Sequence, residues 1–210
     1  MIINLENYKC KPYCTISRKL NMSSINKLSI YSLAKGTSIS SFKYETTTFY
    51  YVLKGSSIVT IDNQEKKLEE NMFITVDSNS YFGIKAISDI IYLEIQIKDG
   101  INMTELIKAG NAFKLKDLID YEEGGISNLD IASNDSLKYV LMAFDENQAL
   151  SAHKAPCEAL VFILEGKAII GYEGVDYTLN EGEVFKFDKG GLHAVKALTK
   201  MKMALLLTLK

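Results

Sequence analysis

Short runs of apolar and β-branched residues, each closed by a turn signal, recur along the second half of the chain: Ala159 to Leu164, Ala168 to Tyr172, Val175 to Leu179, Val184 to Phe187, Ala194 to Leu198 and Met203 to Leu209. Between them stand Gly166, Glu173-Gly174, Asn180-Glu181-Gly182 and Lys189-Gly190-Gly191, residue types that accept the backbone of tight turns at little steric cost. Val184, Lys186 and Asp188 alternate with Phe185 and Phe187, the period of two expected of a half-buried strand. The first half repeats the style with Phe49 to Leu53, Ile58 to Ile61, a turn at Asp62-Asn63, and Phe73 to Val76. This punctuation predicts an antiparallel, all-β chain.

The two halves share one pattern. Displaced by 111 positions, Lys27 to Ile97 falls on Lys138 to Thr208 without a gap. Leu53-Lys54-Gly55 then meets Leu164-Glu165-Gly166, Leu68 meets Leu179, Asp77 meets Asp188, and Lys85-Ala86 meets Lys196-Ala197. Gapless register of runs and turns over a whole domain is what duplication of one unit predicts. The expected organisation is therefore a first domain over 1–98, a linker over 99–121, and a second domain over 122–210. In the linker, Asn102 to Ala109 reads as a short helix and Phe113 to Tyr121 as a helical or extended segment ending at Glu122-Glu123-Gly124-Gly125.

Composition narrows the function classes. With 210 residues, 47% hydrophobic and 24% charged, the chain can bury a real core and is far from the disordered regime. The net charge is −2 and Arg18 is the one arginine, so the planar fork that reads bases and phosphates is nearly missing, which argues against a nucleic-acid partner. MIINLENYK lacks a basic leader with an apolar stretch, and Met203 to Leu209 is shorter than the roughly 20 residues of a membrane helix. A soluble, cytoplasmic protein is expected. Three cysteines, Cys10, Cys14 and Cys157, make an odd count, and ordinary reduced thiols are the expected reading.

On these residues the chain resembles the cupin superfamily, and specifically bacterial two-domain cupins. The family's second motif is a Gly, five residues, Pro-x-Gly, two residues, a His, three residues and an Asn. GEVFKFDKGGLH follows it from Gly182 through Gly190 to His193, with Asp188 in place of the Pro and Ala197 in place of the Asn. The first motif is matched in part: His153 takes the first histidine position, but Ala155 stands at the second and Ala159 at the glutamate, with Glu158 one residue away.

The resemblance implies two tandem jelly-roll β-barrels. It also implies one divalent metal (manganese, iron, nickel or zinc) at the open end of the C-terminal barrel, on His153, His193 and a third ligand, Glu158 or Cys157. A catalytic metal wants about three protein ligands and an open position. A one-residue slip along a strand would turn Glu158 to the wrong face, unless Pro156 marks that stretch as a loop. In the first copy the same displacement pairs Phe42 with His153 and Phe82 with His193, so no family-type metal is expected there. Phe42, Tyr44, Tyr51, Phe82 and Tyr92 either line an aromatic cavity or fill a core, and filling is the default for aromatic side chains in small barrels.

Two functional readings follow. In one, a small polar or anionic molecule binds in a pocket made by His153, Cys157, Glu158 and His193, with the N-terminal barrel as scaffold. In the other, the resemblance implies a metal-dependent isomerase, decarboxylase or dioxygenase built on His153, His193 and Glu158. The resemblance further implies pairing of chains as a homodimer, and no membrane or nucleic-acid partner is expected.

Overall fold

The computed structural model describes residues 1–19, 27–97 and 100–209. The expected boundary at 98/99 falls on residues outside that set. Nearly every element is a strand, and among the described residues the helices are two single 3-10 turns, Leu5–Tyr8 and Leu115–Leu118. No helix among them is long and apolar enough to cross a membrane.

The chain divides into two compact units. One comprises Leu5–Ile101 with Ile107–Lys114. Its larger sheet runs in the order Ala112–Lys114, Met72–Val76, Thr47–Lys54, Ile90–Ile97, Lys27–Leu33, Thr15–Lys19. The smaller runs Ser38–Lys43, Tyr81–Ala86, Ser56–Ile61, Gln64–Glu69. The sheets enclose Val52, Val59, Ile74, Phe82, Ile84 and Tyr92.

The other unit comprises Leu115–Lys210 with Met1–Asn4 and Asn102–Leu106. Its larger sheet runs Ile2–Ile3, Val184–Phe187, Glu158–Glu165, Met201–Thr208, Leu137–Phe144, Ile126–Asn134, Asn102–Met103. The smaller runs Ala149–Lys154, Leu192–Ala197, Lys167–Tyr172, Val175–Asn180. Val161, Ile163, Ile170, Phe185, Val195 and Met203 form its core. The smaller sheets carry the period-two alternation of one buried face, as in Ser56–Ile61, whereas the central strands of the larger sheets, Thr47–Lys54 and Glu158–Glu165, are apolar runs buried on both faces.

The 111-residue spacing is visible strand by strand. Ser38–Lys43 and Ala149–Lys154, Thr47–Lys54 and Glu158–Glu165, and Tyr81–Ala86 and Leu192–Ala197 have matching bounds. So do the irregularities: the pairing slips between Ile39 and Phe42 in one unit and between Leu150 and His153 in the other. The hairpin turns match too, with positive φ at Asp62-Asn63 and at Glu173-Gly174, the two-residue turn type that suits the twist of paired strands. Gly166 (φ 79°) and Gly55 (φ 84°) occupy equivalent bends where an added Cβ would collide with the carbonyl oxygens of Lys200 and Asp89. Those positions demand glycine on both conformational and steric grounds.

The expected helix over Asn102 to Ala109 is absent. Asn102–Met103 is instead a short strand paired with Ala132 and Ser133, and Ala112–Lys114 is a strand paired with Met72 to Ile74. Short helices are costly to nucleate, and each of these segments gains ladder hydrogen bonds on an open sheet edge. The edge strand Ile2–Ile3 pairs with Phe185 and Val184, so each unit takes one edge strand from a segment that in sequence precedes the other unit.

Candidate functional site

His153 and His193 are direct cross-strand partners on neighbouring strands of the smaller sheet of the Leu115–Lys210 unit, and Tyr172 is the next residue in the same row. Directly paired residues project from the same face of a sheet, and the two imidazoles lie with ring centroids 4.2 Å apart. His193 also packs on Phe187 at 4.1 Å. Its strand is delivered by the turn Asp188 to Gly191, closed by the Gly191 N–H donating to the Asp188 carbonyl at 3.0 Å. Gly190 sits in that turn at φ 83°, the left-handed third position that a type II turn reserves for glycine.

Each imidazole is tied to backbone. Nδ1 of His153 lies 2.8 Å from the Ser151 carbonyl, a residue of the bulge, and Nδ1 of His193 lies 3.3 Å from the Gly191 carbonyl. A carbonyl can only accept, so these bonds place the proton on Nδ1 and leave Nε2 as the free edge of each ring. His193 has its pKa lowered, first because burial disfavours the charged ring, and further by the neighbouring His153, against the opposing Gly191 bond.

Both histidines line a cavity of about 260 Å³, together with Ala155, Pro156, Cys157, Ala159, Phe187, Leu205 and Leu207. The cavity lies between the two sheets of this unit, walled by the histidines on one side and by strands Glu158–Glu165 and Met201–Thr208 on the other. Burial raises the Cys157 thiol's pKa, with a backbone bond from Thr208 working the other way. Cys157 is therefore a neutral thiol at ordinary pH. Cys10, Cys14 and Cys157 are all free.

Glu158 does not join them. Strand alternation puts Ala159 on the cavity side and turns Glu158 to the opposite face of the sheet, where its carboxylate meets Lys186 Nζ at 2.7 Å. Lys186 also reaches Asp188 at 3.0 Å; burial opposes its charge, but the bonds to these two carboxylates outweigh that and raise its pKa. Pro156 does not rescue the position, because the strand already begins at Glu158. Among the described residues no group of three or more His, Cys, Asp or Glu lies together as a metal-ligand set. Two adjacent imidazoles, tilted 54° to each other and facing an apolar wall, do not fit the three-ligand centre that the resemblance implies.

The equivalent level of the other unit is built differently. Phe42 and Phe82 pair across the strands where the histidines stand. Tyr44 holds the position of Ala155, and its buried hydroxyl donates to Glu94, at the position of Leu205, across 2.8 Å. Gln96, at the position of Leu207, donates to the same carboxylate at 2.7 Å. Phe42 packs on Tyr44 at 4.4 Å, and Tyr50 stacks on Phe82 at 4.0 Å. Burial first, and then the Glu94 charge, push the Tyr44 hydroxyl far above its ordinary pKa. Tyr44, Phe82 and Tyr92 thus belong to the core between the sheets; Tyr51 is also buried but outside that cluster, packed on Phe73 and bonding Asn71 at 3.2 Å, and Phe42 is exposed.

Sequence reasoning located the histidines and Cys157 but missed the apolar wall. The signal was present in the alternation of Met201, Met203, Leu205 and Leu207, which follows the period of a strand with one face inward.

Residues 140–209 match the family model described as "Cupin domain". No curated protein matched the chain. Among solved structures, the chain is similar to a cupin 2 conserved barrel domain protein from Leptotrichia buccalis, at 26% identity and a TM-score of 0.83, over 99% of this chain and 96% of that one. It is similar in fold alone to a salicylate 1,2-dioxygenase from Pseudoaminobacter salicylatoxidans in complex with gentisate, at 9% identity and a TM-score of 0.65, covering 89% and 69% of the two chains. The same holds for protein Ylba from E. coli, at 12% identity and a TM-score of 0.61, covering 92% and 82%.

Proposed function

We propose, for a chain whose residues 140–209 match a cupin domain model and whose fold is similar to that of a cupin 2 barrel protein, that it is a small-molecule-binding protein of two cupin barrels derived by tandem duplication. The C-terminal barrel holds the ligand beside His153 and His193, and the N-terminal barrel is scaffold. One contrast carries this reading. Where Ala155 and Leu205 leave a cavity of about 260 Å³ beside the histidine pair, Tyr44 and Glu94 join across the same level of the other unit. An apolar cavity with a few convergent polar groups is the default binding site of a fold that is otherwise well packed.

The metal-dependent alternative needs a third protein ligand, and Glu158 is committed to Lys186 on the far face. The test is elemental analysis of the purified full chain after incubation with manganese, iron, nickel or zinc and dialysis. Retention well below one equivalent, with no change on His153→Ala or His193→Ala, is expected. Near one equivalent per chain, lost in either variant, would overturn the reading in favour of a metal-dependent enzyme.

A further inference from the structure

The unit Leu5–Ile101 with Ile107–Lys114 contains a template for the occupant of this cavity. Tyr44, at the position of Ala155, is 5% exposed and belongs to the core of its unit. Its ring lies 4.4 Å from that of Phe42 and meets Phe82 edge-on at 6.1 Å, and these two phenylalanines hold the positions of His153 and His193. In the Leu115–Lys210 unit the Tyr44 ring is replaced by the methyl of Ala155, while a row of rings persists: His153, His193 and Phe187 follow one another with centroids 4.2 and 4.1 Å apart. The cavity of about 260 Å³ beside that row is therefore the place that the other unit fills with an aromatic ring of its own. A dry cavity of about 150 Å³ lined by aliphatic and aromatic side chains already admits benzene, and drug-sized ligands occupy roughly 300–1,000 Å³, so the space suits one ring with a short substituent. Rings favour tilted and edge-to-face contacts with other rings beyond the area they bury, which selects an aromatic ring over a saturated one. No Asp, Glu, Lys or Arg lines the cavity, and a charged group brought there would lose its hydration without an opposite charge beside it, at a large cost.

We infer that this cavity takes an uncharged molecule with a single aromatic ring, seated against His153, His193 and Phe187 where the other unit seats its own Tyr44, and covered on its far side by Leu205 and Leu207. This rests on the small-molecule reading above and adds the class of ligand. The imidazoles take part as ring surfaces, so the fit holds for either tautomer. With Leu205 standing in place of the carboxylate that accepts from the Tyr44 hydroxyl, the far end of the bound ring meets hydrocarbon.

The experiment is an NMR titration of the full chain with benzyl alcohol, against cyclohexylmethanol as its saturated counterpart and benzoate and benzylamine as its anionic and cationic ones. Benzyl alcohol is expected to bind about threefold or more tighter than cyclohexylmethanol, the margin of ring–ring contact, and about tenfold or more tighter than either charged probe. Ala155→Tyr, checked for folding by circular dichroism, restores the ring that the other unit carries and is expected to abolish binding. Nuclear Overhauser contacts from the probe's ring protons to the methyl groups of Leu205 and Leu207 are expected in the unsubstituted chain, and they locate the probe even if that variant does not fold. If cyclohexylmethanol, benzoate or benzylamine binds as tightly as benzyl alcohol and touches the same methyl groups, the ligand class is overturned while the cavity stands. If no probe binds, if the bound probe touches neither leucine, or if binding survives in folded Ala155→Tyr, the small-molecule reading of this cavity falls as well.

Discussion

Tyr44→Phe is the sharpest perturbation of the unit Leu5–Ile101 with Ile107–Lys114, because it removes one atom from a buried pair. Glu94 is 3% exposed and Tyr44 5% exposed, and the hydroxyl donates to the carboxylate at 2.8 Å. A hydrogen bond to a charged group is worth about 1.5–3 kcal/mol. Gln96 continues to donate to the other carboxylate oxygen, so the lower half of that range is expected, about 2 kcal/mol. For a unit of this size that corresponds to a fall of roughly 10 °C in melting temperature. The protein has 12 tyrosines and no tryptophan, which makes near-ultraviolet circular dichroism a direct probe during guanidinium unfolding. Repeating the substitution in a Glu94→Gln background completes a double-mutant cycle, with an expected coupling of about 1 kcal/mol. A loss below about 0.5 kcal/mol for Tyr44→Phe, or strict additivity with Glu94→Gln, would show that this bond does not hold the N-terminal core.

Three further outcomes are expected. Glu158→Gln breaks a part-buried ion pair on the face away from the cavity, so it should cost no more than about 1 kcal/mol in urea unfolding and leave metal retention unchanged; a loss of retained metal would return Glu158 to the site. Gly166→Ala should destabilise by about 1–3 kcal/mol or more, since φ is 79° and the new Cβ meets the Lys200 carbonyl; an unchanged guanidinium midpoint would refute that geometry. Because His193 has its pKa lowered from 6.5 by burial and by His153, the unfolded chain binds more protons than the folded one in that window. The stability tied to His193 is therefore present above about pH 6.5 and lost as pH falls through the depressed value. His193→Phe should flatten this part of the midpoint-against-pH curve, and an unaltered curve would show that the ring is not desolvated.

Much of the fold was legible in the chain. Positive φ at Asp62-Asn63 and Glu173-Gly174 sits where the turn pairs were read, and strand bounds repeat at the displacement found by sliding the sequence on itself. These features are local: a turn residue acts through its own dihedral angles, and an alternating run declares its buried face by itself. Pairing His153 with His193 was legible only through the resemblance, since neither histidine lies in a run that requires the other.

Other features depended on neighbours distant in sequence. Asn102–Met103 and Ala112–Lys114 are strands because open sheet edges offered them partners, and no property of those short segments encodes that edge. The face taken by Glu158 was decided by the strand phase running from Ala159 and by the ammonium of Lys186 across the sheet. The cavity itself is a difference between equivalents: alanine opposite leucine leaves space in one unit, and tyrosine opposite glutamate closes the same level in the other. Hydrophobic periodicity and turn chemistry set which elements form. Whether a gap remains between them depends on which side chains meet across two sheets, a three-dimensional sum that no local pattern contains.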